Sequence, residues 1–216
     1  MVPTGLGGQL SLWLKPIHQG LRKKKVDLFL RLVGDASTED TLLDVGGGPG
    51  VDGEFLRLYA CFHEVVVINL VTEHLEGPNH CCFRAIRGDA RHLPFNSQSF
   101  DWVFSNAVIE HVGQWKDQVQ FADEIRRVAT KGYFVTTPNK LFPIEPHTLL
   151  PFYQFLPIWM QRKLAPHSPG YLKRYEEIEL LSSKQIQKLF PEATVLSLGF
   201  PVLGNSLVAF HSKRLP

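Results

Sequence analysis

Three features of the sequence predict an α/β fold, built on an open, mostly parallel sheet of seven strands with helices on both faces. Short apolar runs rich in Val, Ile and Phe recur at regular intervals from residue 42 onward. Helical patterns, clearest at 51–60 and 115–129, lie between them. One run, Thr41-Leu42-Leu43-Asp44-Val45, leads straight into Gly46-Gly47-Gly48-Pro49-Gly50, a strand-to-helix turn whose backbone is left bare. Strands that alternate with helices pair in parallel and are covered on both sides.

The elements follow in order. Residues about 9–33 carry apolar side chains at Leu10, Leu12, Trp13, Leu14, Ile17, Leu21, Val26, Leu28, Phe29, Leu30 and Leu32, interrupted by Pro16. This pattern predicts a helical region that packs on the main body and ends near Gly34, and Asp35 to Asp40 is then a polar connector. Seven runs read as strands: Leu42–Val45, Val65–Leu70, Arg84–Arg87, Trp102–Ser105, Tyr133–Thr136, Val195–Leu198 and Leu207–Phe210. In the helix at 115–129, Phe121, Ile125 and Val128 share a face. The rhythm breaks from Asn139 to about Ser182, where no strand is expected but prolines and aromatic residues are frequent. So long a connection in a compact domain is usually functional, and it reads as a lid rather than as a decoration of the sheet edge. The chain is thus read as a single domain over 1–216, with an N-terminal helical extension at 1–35 and a lid insertion at 139–182.

Composition narrows the function classes. The 216 residues are 44% hydrophobic and 20% charged, with a net charge of +2, which favours no dominant electrostatic partner. The one basic cluster, Arg22-Lys23-Lys24-Lys25, reads as a solvated helix face, and no nucleic-acid partner is expected. Cys61, Cys81 and Cys82 form neither a disulfide framework nor a metal-ligand spacing, which fits a reducing compartment. No basic region followed by a long apolar core opens the sequence, so no signal peptide is read. Residues 141–160 are apolar but hold Pro143, Pro146, Pro151, Pro157, Glu145 and His147, which is not a transmembrane segment. A cytoplasmic location is expected, and contact of the lid with a membrane surface stays open.

The glycine turn lacks the Lys-Ser or Lys-Thr of a P-loop. Nor is it the dinucleotide fingerprint, because Gly50 falls one residue short of the third glycine in G-x-G-x-x-G. The arrangement Asp44-x-Gly46-x-Gly48-x-Gly50 resembles the first motif of class I S-adenosylmethionine (SAM) dependent methyltransferases. Three later segments are similar to that family in order and spacing: Arg87-Gly88-Asp89-Ala90-Arg91-His92-Leu93-Pro94-Phe95, Ser99 to Val112, and Glu124-Ile125-Arg126-Arg127-Val128 with Gly132-Tyr133-Phe134-Val135. The resemblance spans about residues 40–138 and is nearest to the methyltransferase type 11 group. It implies a Rossmann-like sheet with an antiparallel last strand, and SAM as methyl donor. It further implies that Gly46, Gly47 and Gly48 lie against the amino acid part of SAM, and that Asp44 orients the loop and receives the ammonium. Asp89 and the Ala90 backbone would meet the adenine, and Asn106 would line the floor near the methyl group. At the end of strand two the family usually has an acidic residue that grips the ribose. Asn69 stands there instead, a weaker acceptor without charge assistance unless Glu73 helps.

Glu110-His111 matches half of a Glu-x-x-Glu-His metal motif found in some related quinone and RNA methyltransferases. Ala107 occupies the first ligand position, so no metal is expected, and the pair reads as lining the cleft. Methyl transfer mainly needs alignment of donor and acceptor and exclusion of water, with a proton acceptor only for an unactivated nucleophile. The candidates for that catalytic role are His111 and His147, the latter within Glu145-Pro146-His147. The lid's aromatic residues predict a largely apolar wall and a small-molecule acceptor. Two other readings remain: a non-catalytic SAM-fold binding protein, and an NAD-dependent oxidoreductase, which Asn69 and the missing third glycine disfavour.

Overall fold

In the computed structural model seven strands make one sheet: β1 (Thr41–Val45), β2 (Glu64–Asn69), β3 (Cys82–Arg87), β4 (Phe100–Asn106), β5 (Ala129–Pro138), β6 (Thr194–Leu198) and β7 (Ser206–Ser212). The structure describes residues 6–34, 39–48, 53–72, 82–199 and 204–213, with side chains of the first helix from residue 20. Pro49, Gly50, Glu73, Cys81 and most of the expected 35–40 connector lie outside the described residues. The spatial order is β3-β2-β1-β4-β5-β7-β6. β1 to β5 pair in parallel, and β7 runs antiparallel to both β5 and β6. All seven expected strands are present, each extended by a residue or more at one or both ends except β2, which begins earlier and stops at Asn69.

Alternation along each strand divides the core in two. Leu43, Val45, Val66, Ile68 and Val103 face one side, where they pack with Phe121, Ile125 and Val128 of α3 (Trp115–Val128). Leu42, Val65, Val67, Trp102 and Phe104 face the other. There they meet Val26 and Phe29 of α1 (Leu6–Val33) and Leu58 and Tyr59 of α2 (Gly53–Tyr59). Burial on both faces is why the strands read as continuous apolar runs. Phe29 is the hub of the second face, with its ring 5.3 Å from Phe104 and 5.2 Å from Phe134.

α1 continues through Pro16 rather than breaking there, because its carboxyl-terminal half is anchored by this packing. It stops at Gly34, whose φ of +73° and N–H bond to the Leu30 carbonyl form a left-handed cap. One expectation changes on this helix. Lys23 and Lys24 are exposed, but Lys25 is buried, so the basic cluster is not wholly a solvated face. Leu21, Lys25 and Phe29 repeat at four-residue spacing, which turns Lys25 toward the sheet.

Segment 139–182 adds no strand to the sheet. It holds α4 (Ile158–Leu164), two 3-10 turns and two isolated bridges, Asn139 with Leu181 and Ile144 with Pro151. α5 (Ser183–Leu189) starts immediately afterwards, with Ser182 and Gln185 forming a capping box. Phe152, Phe155, Ile158, Trp159 and Tyr171 all sit on the outer surface of the segment.

Candidate active site

The candidate site is built at the carboxyl ends of the parallel strands. The chain reverses there, and backbone groups no longer used by the ladder face a crevice. Gly46 N–H still reaches across to the Ile68 carbonyl (2.8 Å), Gly88 N–H to Asn69 (2.9 Å) and Ala107 N–H to Thr136 (2.9 Å). The first two bonds tie the ends of β1 and β3 to β2, and the third ties the end of β4 to β5, so the pairing of adjacent strands runs out to the rim.

The glycine turn is bare for a steric reason. Gly46 has φ +89°, and a Cβ there would fall 2.2 Å from Val108 Cγ2. At Gly47 it would fall 2.8 Å from Val67 Cγ1 and 2.9 Å from Asp44 Oδ2. At Gly48 the nearest atom of the described residues is Asn69 Nδ2 at 3.7 Å, an ordinary contact. The result is a cradle of main chain that admits a flat or polar ligand and no side chain.

Asp44 supports the cradle from beneath. It is 3% exposed and accepts a 2.5 Å hydrogen bond from the Tyr59 hydroxyl. Burial pushes its carboxyl up to about 7, against the pull of the Tyr59 bond. Tyr59 falls in the helical pattern at 51–60, and nothing in that pattern signals its bond to Asp44.

Asn69 sits at the rim, but its amide is engaged. Nδ2 donates to the carbonyls of Gly47 (2.8 Å) and Gly46 (3.2 Å), while Oδ1 receives the Val71 N–H at 3.4 Å. The side chain therefore clasps the glycine turn. Asp89 is held by Arg91, whose N–H, Nε and Nη2 donate to the carboxylate at 2.6–3.1 Å. Hydrogen bonds from Arg91 keep the Asp89 carboxyl below its ordinary range. Arg91 also reaches the Val112 carbonyl and Asp117, which ties the turn after β3 to the start of α3. Together with Ala90, Ala107, Val108 and His111, these groups line a cleft of about 270 Å³.

A second cavity of about 220 Å³ adjoins it. Its walls come from α1 (Leu21, Arg22, Lys25), the end of β4 (Asn106, Ala107), segment 139–182 (Pro146, His147, Tyr171) and the start of β7 (Ser206). Ala107 lines both cavities and holds a left-handed φ of +57°, a conformation uncommon for a residue with a Cβ. Asn106 points its side-chain oxygen into a polar network, accepting from Lys25 Nζ and Thr136 Oγ1, each at 2.9 Å. Burial lowers the Lys25 ammonium to about 8, with Glu110 acting in the opposite sense. Among the aromatic residues of 139–182, Tyr171 lines this chamber, whereas Phe152, Phe155 and Trp159 are exposed and Tyr153 is buried.

His111 and His147 do come together, with ring centroids 5.0 Å apart and perpendicular planes. His111 belongs to the 3-10 turn Ile109–His111 after β4, and burial holds its imidazole below the ordinary value. The His147 Nδ1 pairs with Glu145, whose carboxylate also accepts from the Thr148 N–H and hydroxyl, both at 2.7 Å. Burial raises Glu145, but the His147 and Thr148 bonds outweigh it and leave the carboxyl below its usual value. Glu110, fully buried, accepts from Thr137 Oγ1 at 3.0 Å and is pushed up by burial. Glu110, His111 and His147 each offer one ligand atom, and these atoms lie within 4.8 Å of one another. The sequence placed Glu110 and His111 together, but nothing in it signalled that His147 would join them.

Comparison with known proteins follows the same outline. Residues 43–136 match the family model of a methyltransferase domain. No protein of curated function matches the chain in sequence. Among solved structures, a SAM-dependent methyltransferase from Thermotoga maritima, described as a possible histamine N-methyltransferase, is 16% identical over 95% of each chain (TM-score 0.59). A putative methyltransferase from Haloferax volcanii, in complex with the Trm112 activator, is 14% identical, covering 96% of this chain and 97% of its own (TM-score 0.59). Magnesium protoporphyrin IX methyltransferase from Synechocystis, with bound S-adenosylhomocysteine, is 13% identical over 87% and 81% (TM-score 0.56). At these identities the likeness establishes the fold.

Proposed function

We propose that the chain, whose residues 43–136 match the model of a methyltransferase domain, is a SAM-dependent enzyme of the class I type that methylates a small-molecule acceptor in the chamber beside Asn106. The observation that carries this reading is the junction at Ala107, which lines both the glycine-turn cleft and the chamber. A donor held in the first cavity and an acceptor in the second would meet across one residue, the near-attack arrangement that methyl transfer needs.

In this proposal Gly46, Gly47 and Gly48 bind the amino acid part of SAM, and Asp44 answers its ammonium. Asp89, kept ionised by Arg91, and the Ala90 backbone face the adenine, while Asn69 acts by holding the glycine turn in shape. SAM supplies a methyl group already activated on a sulfonium. The chain's own residues orient the acceptor, exclude water and prepare its nucleophile, and the last task falls to His111 and His147. Segment 139–182 serves as the lid, since Pro146, His147 and Tyr171 close the chamber. The hydrogen-bonded pair Lys25–Asn106 in the chamber suits the reacting end of the acceptor. The exposed Phe152, Phe155, Ile158 and Trp159 support an apolar body and contact with a membrane surface. A cytoplasmic location is part of the proposal, in keeping with free thiols at Cys61 and Cys82.

Thermal-shift measurements with SAM, S-adenosylhomocysteine and NAD test the cofactor, because only a ligand of the native state raises its stability. Stabilisation by the first two is expected; stabilisation by NAD alone sinks the proposal. Methyl-labelled SAM incubated with cell extract should then label small molecules in a lid-dependent manner, and labelling confined to macromolecules would overturn the acceptor class.

A further inference from the structure

Glu110 is the group that the methyl-transfer reading leaves unexplained. It is fully buried, and although Thr137 Oγ1 donates to Oε2, its Oε1 is buried with no hydrogen-bond partner among the described residues. A carboxylate oxygen without a donor is costly in the interior. Glu110, His111 and His147 each bring one ligand atom to within 4.8 Å of the others, and His147 is already committed on one side. Its Nδ1 pairs with Glu145, so in the neutral ring the proton lies on that side and Nε2 presents a lone pair. Glu145 is in turn fixed by the backbone N–H groups of His147 and Thr148 and by the Thr148 hydroxyl. A histidine whose far nitrogen is tethered to a carboxylate is the arrangement that orients metal-bound imidazoles.

From this convergence of lone pairs, with one oxygen unanswered, we infer that Glu110, His111 and His147 bind a divalent transition-metal ion of the zinc type. Two imidazoles and a carboxylate match zinc and its first-row neighbours; magnesium prefers oxygen ligands and near-ideal octahedral geometry. Three protein ligands leave at least one position open. The ligand atoms, within 4.8 Å of one another, need only a small closure to reach a common ion, and His111, the exposed member, is free to provide it. Glu110 Oε1 would gain the partner it lacks. Because His111 lines the cofactor cleft and His147 lines the chamber, the ion would stand where the two cavities meet. An oxygen or nitrogen donor of the acceptor could then complete its coordination. The absence of a carboxylate at Ala107 suggested no metal from sequence; His147, delivered by the lid, supplies the third ligand instead.

The inference rests on the proposed placement of the acceptor only for its role, not for the binding itself. The test is titration of the chelator-stripped full chain with Zn²⁺ and, for its visible spectrum, Co²⁺, with Mg²⁺ as control. One ion per chain is expected, with the intense visible bands of a four- or five-coordinate Co²⁺ site and no comparable Mg²⁺ binding. His111→Ala, at an exposed position, and His147→Ala should each weaken Zn²⁺ binding at least tenfold. Glu145→Gln should weaken it about 10- to 100-fold through the His147 orientation. No stoichiometric Zn²⁺ binding, or binding that survives His111→Ala and His147→Ala unchanged, overturns the inference. The SAM thermal shift of the stripped protein is read in parallel. Its loss counts against the methyltransferase reading, while its persistence without Zn²⁺ binding counts against the metal site alone.

Discussion

Asn69 Nδ2 donates a 2.8 Å hydrogen bond to the Gly47 carbonyl, so the last residue of β2 holds closed the turn that follows β1. A second bond to the Gly46 carbonyl at 3.2 Å makes the clasp bidentate. The side chain expected to accept a ribose hydroxyl thus spends its donors on the cradle itself.

Asn69→Asp should therefore weaken SAM binding. The carboxylate would face two carbonyl oxygens, losing both bonds and gaining repulsion, at a cost of about 1–3 kcal/mol. A lower Tm and a SAM Kd raised about tenfold are expected by thermal shift and calorimetry. Tighter SAM binding in this variant would show that contact with the ribose outweighs the clasp.

Asp44 predicts how stability varies with pH in the ligand-free protein. Its folded value of about 7 exceeds the ordinary carboxyl value, so between about pH 4 and 7 the native state holds a proton that the unfolded chain releases. This contribution to stability is largest at low pH, falls as pH rises to about 7 and then levels off, by at most about 4 kcal/mol. Asp44→Asn, which keeps an oxygen for the Tyr59 hydroxyl, should remove that decline, as read from urea unfolding at pH 5 and pH 8. It should also weaken SAM binding, because the ammonium loses its counter-charge.

Lys25 works in the opposite window. Burial lowers its folded value to about 8, so as pH rises from 8 toward 10 the native state loses its proton first and stability increases. Lys25→Met should flatten that rise and leave Tm at pH 7 unchanged or higher, since a buried cation is removed. SAM affinity should hold. Methyl transfer to the labelled acceptor should fall at least tenfold, because the chamber loses the cation that donates to Asn106.

The exposed flank of segment 139–182 gives a prediction separable from stability. Phe155→Ser combined with Trp159→Ser should change Tm little, because both side chains lie in solvent. Co-sedimentation with anionic vesicles should drop several-fold if this flank meets a membrane. Equal vesicle binding by the double variant would show that the flank makes no such contact.

The sequence already contained the sheet. Period and composition fix a strand locally, and strands buried on both faces announce themselves as apolar runs, so Leu42–Val45, Val65–Leu70 and Trp102–Ser105 were readable without tertiary information. The glycine turn was legible for a similar reason, since a run of residues without Cβ has few uses other than a close backbone approach. Lys25 carried a fainter signal: its spacing from Leu21 and Phe29 put it on the buried face, and the charge cluster around it obscured this.

Contacts between distant segments were not legible, because which side chains meet depends on how segment 139–182 packs near the strand ends. Only the tertiary structure brings His147 against Glu110 and His111, leaves Phe152, Phe155 and Trp159 exposed, and engages the side chains of Asn69 and Asp89 with the protein itself. Local periodicity specifies elements, whereas partners are chosen by packing in three dimensions. The resemblance to methyltransferases could therefore be read from a line of residues, while the chamber and its contacts had to wait for the fold.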